Sequence, residues 1–144
     1  MMKGNMQKIE VLPSLLAADF SDLRGQLRKI EAAGCSKLHL DIMDGNFVPN
    51  ITFGPALIRS IRKISGLFFQ AYLMIDRPER YVETFKRAGV DGIIIHEESC
   101  CNFRNTLKQV VRAGANELIC GEAVFSGDII KNIKSLSRKA NEAA

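Results

Sequence analysis

No run of apolar residues in this 144-residue chain approaches the roughly 20 that a bilayer crossing takes. The four cysteines, Cys35, Cys100, Cys101 and Cys120, contain no C-x-x-C pair, and neither His39 nor His96 stands at a zinc-finger spacing from them. Free thiols in a reducing compartment therefore fit better than a disulfide framework or a structural zinc. Charge of one sign is scarce as well: the net charge is +4, densest in IIKNIKSLSRKANEAA. There Lys131, Lys134, Arg138 and Lys139 accompany Ile129, Ile130, Ile133 and Leu136 at helical spacing, which reads as the solvated face of an amphipathic last helix. Aromatic residues do not interleave with these cations, so nucleic acid is not expected as a partner. The opening stretch MMKGNMQKIEVLPSLLAADF has no clean apolar segment with a small-residue cleavage site, because Asp19 and Phe20 interrupt it. Neither a secretory leader nor a membrane partner is expected, and a cytoplasmic location is the default.

What the chain does have is rhythm. Its length suits one domain, residues 1–144, with a real core. Ala33-Gly34, Ala88-Gly89 and Ala113-Gly114 each close a helical pattern and lead into an apolar strand, as a glycine cap at a helix C-terminus should. Strands are expected at 8–17, 37–43, 67–75, 93–99 and 117–120, with helices at 20–34, 54–65, 78–88, 102–113 and 126–142. Pro55 and Pro78 fall near two helix starts, where a missing N–H matters least. Alternating strands and helices with nearly continuous apolar strands predict an α/β fold with a parallel sheet. A closed eight-unit (β/α) barrel takes about 200 residues. About five units fit here, so either the sheet is open or the barrel is incomplete.

One strand carries charge. In KLHLDIMDG, residues 37–45, His39 and Asp41 leave one face while Leu38, Leu40 and Ile42 leave the other. Isolated charges are expensive to bury, and in parallel α/β folds the C-terminal ends of strands collect ligand chemistry. An imidazole and a carboxylate side by side make half of a metal site or, equally, a structural His–Asp hydrogen bond. Asp44 and Gly45 then open a loop.

The continuation HLDIMDGNFVPNITFGP, His39 to Pro55, closely resembles the signature of the ribulose-phosphate 3-epimerase family. PSLLAADF, LMIDRPERYVETFKRAG, IIIHEES and AGANELICGEAVF resemble that family's first, third, fourth and last strand regions. The resemblance implies a TIM-barrel isomerase of the pentose phosphate pathway that interconverts ribulose 5-phosphate and xylulose 5-phosphate. In such an enzyme two aspartates act from opposite faces of the sugar, and a divalent metal (zinc, iron or manganese) holds the enediolate oxygens. By position Asp41 would be the catalytic acid/base. His39, Asp41 and the residue at Tyr72 would be metal ligands. Ser14, Met43, Gly121 and Glu122 would meet the substrate, a small sugar phosphate, with Met74 lining the site.

Three departures accompany the resemblance. Tyr72 stands where the family has a metal-ligating histidine, and a phenol with a pKa near 10 is a poor replacement. After LKQVV the chain passes directly into RAGANELICGEAVF, so strands five to seven, with the second aspartate, are expected to be missing between about residues 111 and 113. The family's phosphate-binding G-S-A-[VI]-F reads Gly121-Glu122-Ala123-Val124-Phe125 here, and a glutamate repels a phosphate. His96 and Glu98 are further candidates for the ligand shell. These features predict weak metal binding, impaired inversion, and an open arc whose exposed Leu15 and Ile94 drive homo-oligomer formation. A non-catalytic interaction protein and a hexulose-phosphate 3-epimerase are the competing readings. Asp41-Ile42-Met43-Asp44 lacks the lysine of the Asp-x-Lys-x-x-Asp run found in related decarboxylases.

Overall fold

Period-two burial makes a strand, and three such strands lie side by side in a computed structural model of the chain, which describes residues 11–112, 128–131, 134, 135 and 138. They are β1 (Lys37–Met43), β2 (Phe68–Met74) and β3 (Gly92–Ile95), all parallel, in the order β1-β2-β3. The register sets His39 beside Gln70, Asp41 beside Tyr72, and Tyr72 beside Ile94. Helix α1 (Leu23–Ala32) precedes β1, while α2 (Pro55–Arg62), α3 (Val82–Ala88) and α4 (Phe103–Arg112) follow the three strands in turn.

Alternation sorts the side chains. Leu38, Leu40 and Ile42 of β1 and Phe69, Ala71 and Leu73 of β2 are buried, sharing one core with Leu27, Ile58, Phe85 and Leu107 from the four helices. The opposite face carries His39, Asp41, Met43, Gln70, Tyr72 and Met74, all half-buried. Helix ends follow their expected chemistry. Asp22 caps α1 by accepting from Gly25 N–H at 3.0 Å. Pro55 is the first residue of α2. Gly89 closes α3 at φ +102°, with its N–H on the Lys86 carbonyl.

The N-terminal ends of the strands are tied down. Arg62 pairs with Asp91 at 3.0 Å, stacks over the Phe69 ring at 3.9 Å and donates to the Ser65 carbonyl. Asp91 in turn accepts from Phe69 N–H at 2.8 Å. Glu31 accepts from Ser65 Oγ at 2.7 Å and from Gly66 N–H at 3.1 Å. Structural ties at this end leave the other end of the sheet for chemistry.

Several expectations change. The strand expected over 8–17 shrinks, within residues 11–17, to a single parallel bridge between Ser14 and His39. Pro13 has no N–H for a ladder, and Ser14 Oγ accepts from Leu16 N–H at 3.3 Å, curling Leu15–Ala17 into a 3-10 turn. That turn sends Leu15 into the core, where it is 0% exposed, and Ile94 is 5% exposed, so the open-arc argument for association fails at both positions. Ile94 is flanked in register by Tyr72, with His96 two residues further along the chain. The fourth expected strand ends at Ile95, because Glu97–Ser99 form a 3-10 turn. Three strands rather than five occupy the described residues; 117–120 and the chain just after Arg112 lie outside them. Among the described residues no helix is long and apolar enough to cross a membrane.

Candidate functional site

Asp41 is held from three directions. Ser14 Oγ donates to its Oδ2 at 2.5 Å, and His39 Nε2 lies 3.3 Å from its Oδ1. Its backbone is pinned by Thr52, whose Oγ1 donates to the Asp41 carbonyl at 2.6 Å and accepts from Met43 N–H at 3.1 Å. His39 is fixed on its other side by Gln70, with Nδ1 and Oε1 3.1 Å apart. The Asp41 side chain is 16% exposed. This carboxylate is oriented but not sealed off, which suits a group that must reach a substrate proton.

Asp44 has a different task. Its Oδ1 accepts from the N–H groups of Asn46 and Phe47, both at 2.9 Å, and its Oδ2 accepts from Asp76 N–H at 2.8 Å. Partial desolvation pushes its carboxyl up, but these backbone donors outweigh it and hold the group below the usual aspartate range. Gly45 follows at φ +74°, where an added Cβ would meet Ile51 Cγ1 at 2.8 Å. The loop so formed brings Phe47 against the His96 ring, centroids 5.2 Å apart.

Next to Asp41, Tyr72 OH and His96 Nε2 are 2.6 Å apart, and His96 Nδ1 is 3.4 Å from Glu98 Oε1. Burial first, then the nearby carboxylates of Glu98 and Asp41, raise the Tyr72 hydroxyl above its ordinary value. A hydroxyl held protonated in this way is poorly suited to act as an anionic ligand.

The donor set does not fit a metal cage. Among the described residues no three or more His, Cys, Asp and Glu side chains gather in a way that could hold a metal ion. Both nitrogens of His39 are engaged by Asp41 and Gln70, and Tyr72 is engaged by His96. The structure thus brings Ser14, His39, Asp41, Tyr72, His96 and Glu98 to one face, with Met43 at the strand end beside a cleft of about 330 Å³ lined by Ile51, Phe53 and Phe85. Gly121 and Glu122 lie outside the described residues. Gln70, Thr52 and Phe47 are additions. Gln70 was signalled by sharing the parity of Tyr72 along β2, whereas nothing local marks Thr52 or Phe47.

Comparison with known proteins gives a consistent relationship. The profile of the Ribulose-phosphate 3 epimerase family matches residues 10–134. A ribulose-phosphate 3-epimerase of Bacillus subtilis (strain 168) is 39% identical over 106 residues, covering 74% of this chain and 49% of that one. One from Treponema pallidum (strain Nichols) is 47% identical over 87 residues, 60% of this chain and 40% of the other. The chloroplastic ribulose-5-phosphate-3-epimerase of Arabidopsis thaliana is 40% identical over 109 residues, covering 74% and 39%. The chain spans about half the length of the first of these relatives and about two fifths of the other two. A crystal structure of a putative phosphonomutase from Burkholderia cenocepacia J2315 superposes with a TM-score of 0.52 at 15% identity, over 84% of this chain and 63% of that one, a likeness of fold alone.

Proposed function

The chain belongs to the ribulose-phosphate 3-epimerase family, a family of TIM-barrel isomerases, and on that premise we propose that it binds a pentulose 5-phosphate at the C-terminal ends of β1–β3, with Asp41 as the base. The reaction is that of ribulose 5-phosphate and xylulose 5-phosphate: Asp41 takes the proton from the carbon beside the ketone. The observation that carries this reading is the Asp41 carboxylate itself, aimed by Ser14 and His39 and still partly open. A carbon acid beside a ketone is weak, so the base must be positioned before contact rather than by it. Ser14 serves as the substrate-side contact and as the clamp on Oδ2. His39 keeps Oδ1 from turning away. No step is assigned to a metal, because the described donors satisfy one another instead of converging on a shared position.

In this reading the 144 residues are one cytoplasmic domain lacking strands five to seven, and with them the carboxylate that would return the proton from the opposite face. Exchange of the substrate proton should therefore outrun inversion. Incubating the chain with D-ribulose 5-phosphate in deuterated solvent tests this. Deuterium is expected at the third carbon, with xylulose 5-phosphate forming more slowly. Asp41→Asn should lower exchange by about 10² to 10⁴. Absence of exchange, or exchange indifferent to Asp41→Asn, would sink the reading.

A further inference from the structure

We infer that Tyr72, held by His96 and Glu98, is the hydrogen-bond donor that meets the oxyanion formed when Asp41 removes the substrate proton, in the place where a metal-ligating arrangement would otherwise stand. The inference rests on the reading of Asp41 as base. Its footing is placement. Asp41 and Tyr72 are register partners on adjacent parallel strands, so their side chains leave the sheet side by side on one face. Proton removal at one carbon puts negative charge on the neighbouring carbonyl oxygen, and a base and its oxyanion donor must flank those two atoms together.

The three groups form a chain whose direction is set from its far end. The Glu98 carboxylate, 3.4 Å from His96 Nδ1, favours a proton on that nitrogen by its charge; with Nδ1 protonated, Nε2 is the acceptor for the Tyr72 hydroxyl 2.6 Å away. A hydroxyl proton is free to turn about its C–O bond. An oxygen bearing negative charge outcompetes a neutral ring nitrogen for it, since charge-assisted hydrogen bonds are about twice as strong. The Phe47 ring against His96 keeps the imidazole from swinging out to follow. His96 and Glu98 are positioning residues; Tyr72 touches the reacting oxygen.

The test measures affinity for a phosphorylated four-carbon hydroxamate, whose oxygen pair imitates an enediolate, with EDTA present throughout. The chain should bind it, and Tyr72→Phe should bind it roughly ten- to a hundredfold more weakly. Equal affinity, or no binding by the unaltered chain, overturns the inference. The Glu98 side chain is 44% exposed, so Glu98→Gln keeps the test open should Tyr72→Phe fail to fold. A severalfold loss is expected there too, and an unchanged affinity counts against the inference. In parallel, zinc titration should show Tyr72→His binding about tenfold or more tighter than the unaltered chain, having gained a third ligand. If the unaltered chain binds zinc as tightly, the donor role falls. Deuterium exchange separates the two ideas. Hydroxamate binding through Tyr72 without exchange removes the epimerase reading but keeps the oxyanion site. Exchange that needs added metal and ignores Tyr72→Phe does the reverse.

Discussion

Asp41 and Asp44 are three residues apart, yet one carboxylate is kept available and the other is fully committed. Asp44 spends its oxygens on three backbone N–H groups, and its carboxyl is held below the ordinary aspartate range. Folding therefore favours its ionised form. The order it gives the loop is fully present above the unfolded value of about 3.9 and is lost as pH falls through the lower folded value. The Asn46 and Phe47 amide resonances, followed by NMR as the pH is lowered, should keep their hydrogen-bonded positions until the pH is below the ordinary aspartate range. Asp44→Ala should show the loosened pattern already at neutral pH. At this scale the sequence was legible where parity suffices: His39 and Asp41 share a face because they are two apart. The Tyr72–His96 pair was not, since its members stand 24 positions apart. Only the register of β2 on β3, with Tyr72 beside Ile94, makes them diagonal neighbours.

Thr52 shows what an element's end requires. A strand that stops leaves unpaired backbone groups, and Thr52 closes both the Asp41 carbonyl and the Met43 N–H with one hydroxyl. Thr52→Val keeps the shape and removes both bonds. It should lower stability by about 1–3 kcal/mol in denaturant titration and slow substrate exchange as the Asp41 backbone loosens. Leu40→Ala, at a fully buried position of the same strand, should cost roughly 2–5 kcal/mol by the same titration, because it opens a cavity under the helices. Elements announced by local chemistry were readable: Pro55 at a helix start, Gly34 and Gly89 at helix ends. The stretch 8–17 misled because its apolar run outvoted Pro13 and Ser14, which speak for a bridge and a turn. Residues 93–99 misled in the same way: the apolar run is real, but the chain turns right after it.

Across the whole molecule, stability should be graded from the middle of the sheet outward. β2 is hydrogen-bonded on both sides, while the Ser14 region joins β1 by a single bridge. Native-state hydrogen exchange should find the slowest amides in β2 and fast ones around residues 11–18, and uniform protection would contradict the graded picture. The reach of the family likeness, residues 10–134 against relatives of which the chain covers about half, was legible in the quoted motifs. Burial of Ile94 was not, because it depends on the register of β2 against β3 and not on the local pattern. The regular register has a kinetic consequence too. Each strand pairs with the one a single β-α unit away, Lys37 with Phe68 and Gln70 with Gly92. Successive loop closures are then of similar size, and since doubling a loop adds only about 0.6 kcal/mol of closure entropy, no pairing is a markedly harder step than the one before it. The sheet can be laid down in chain order, each unit docking on the last as it emerges from synthesis.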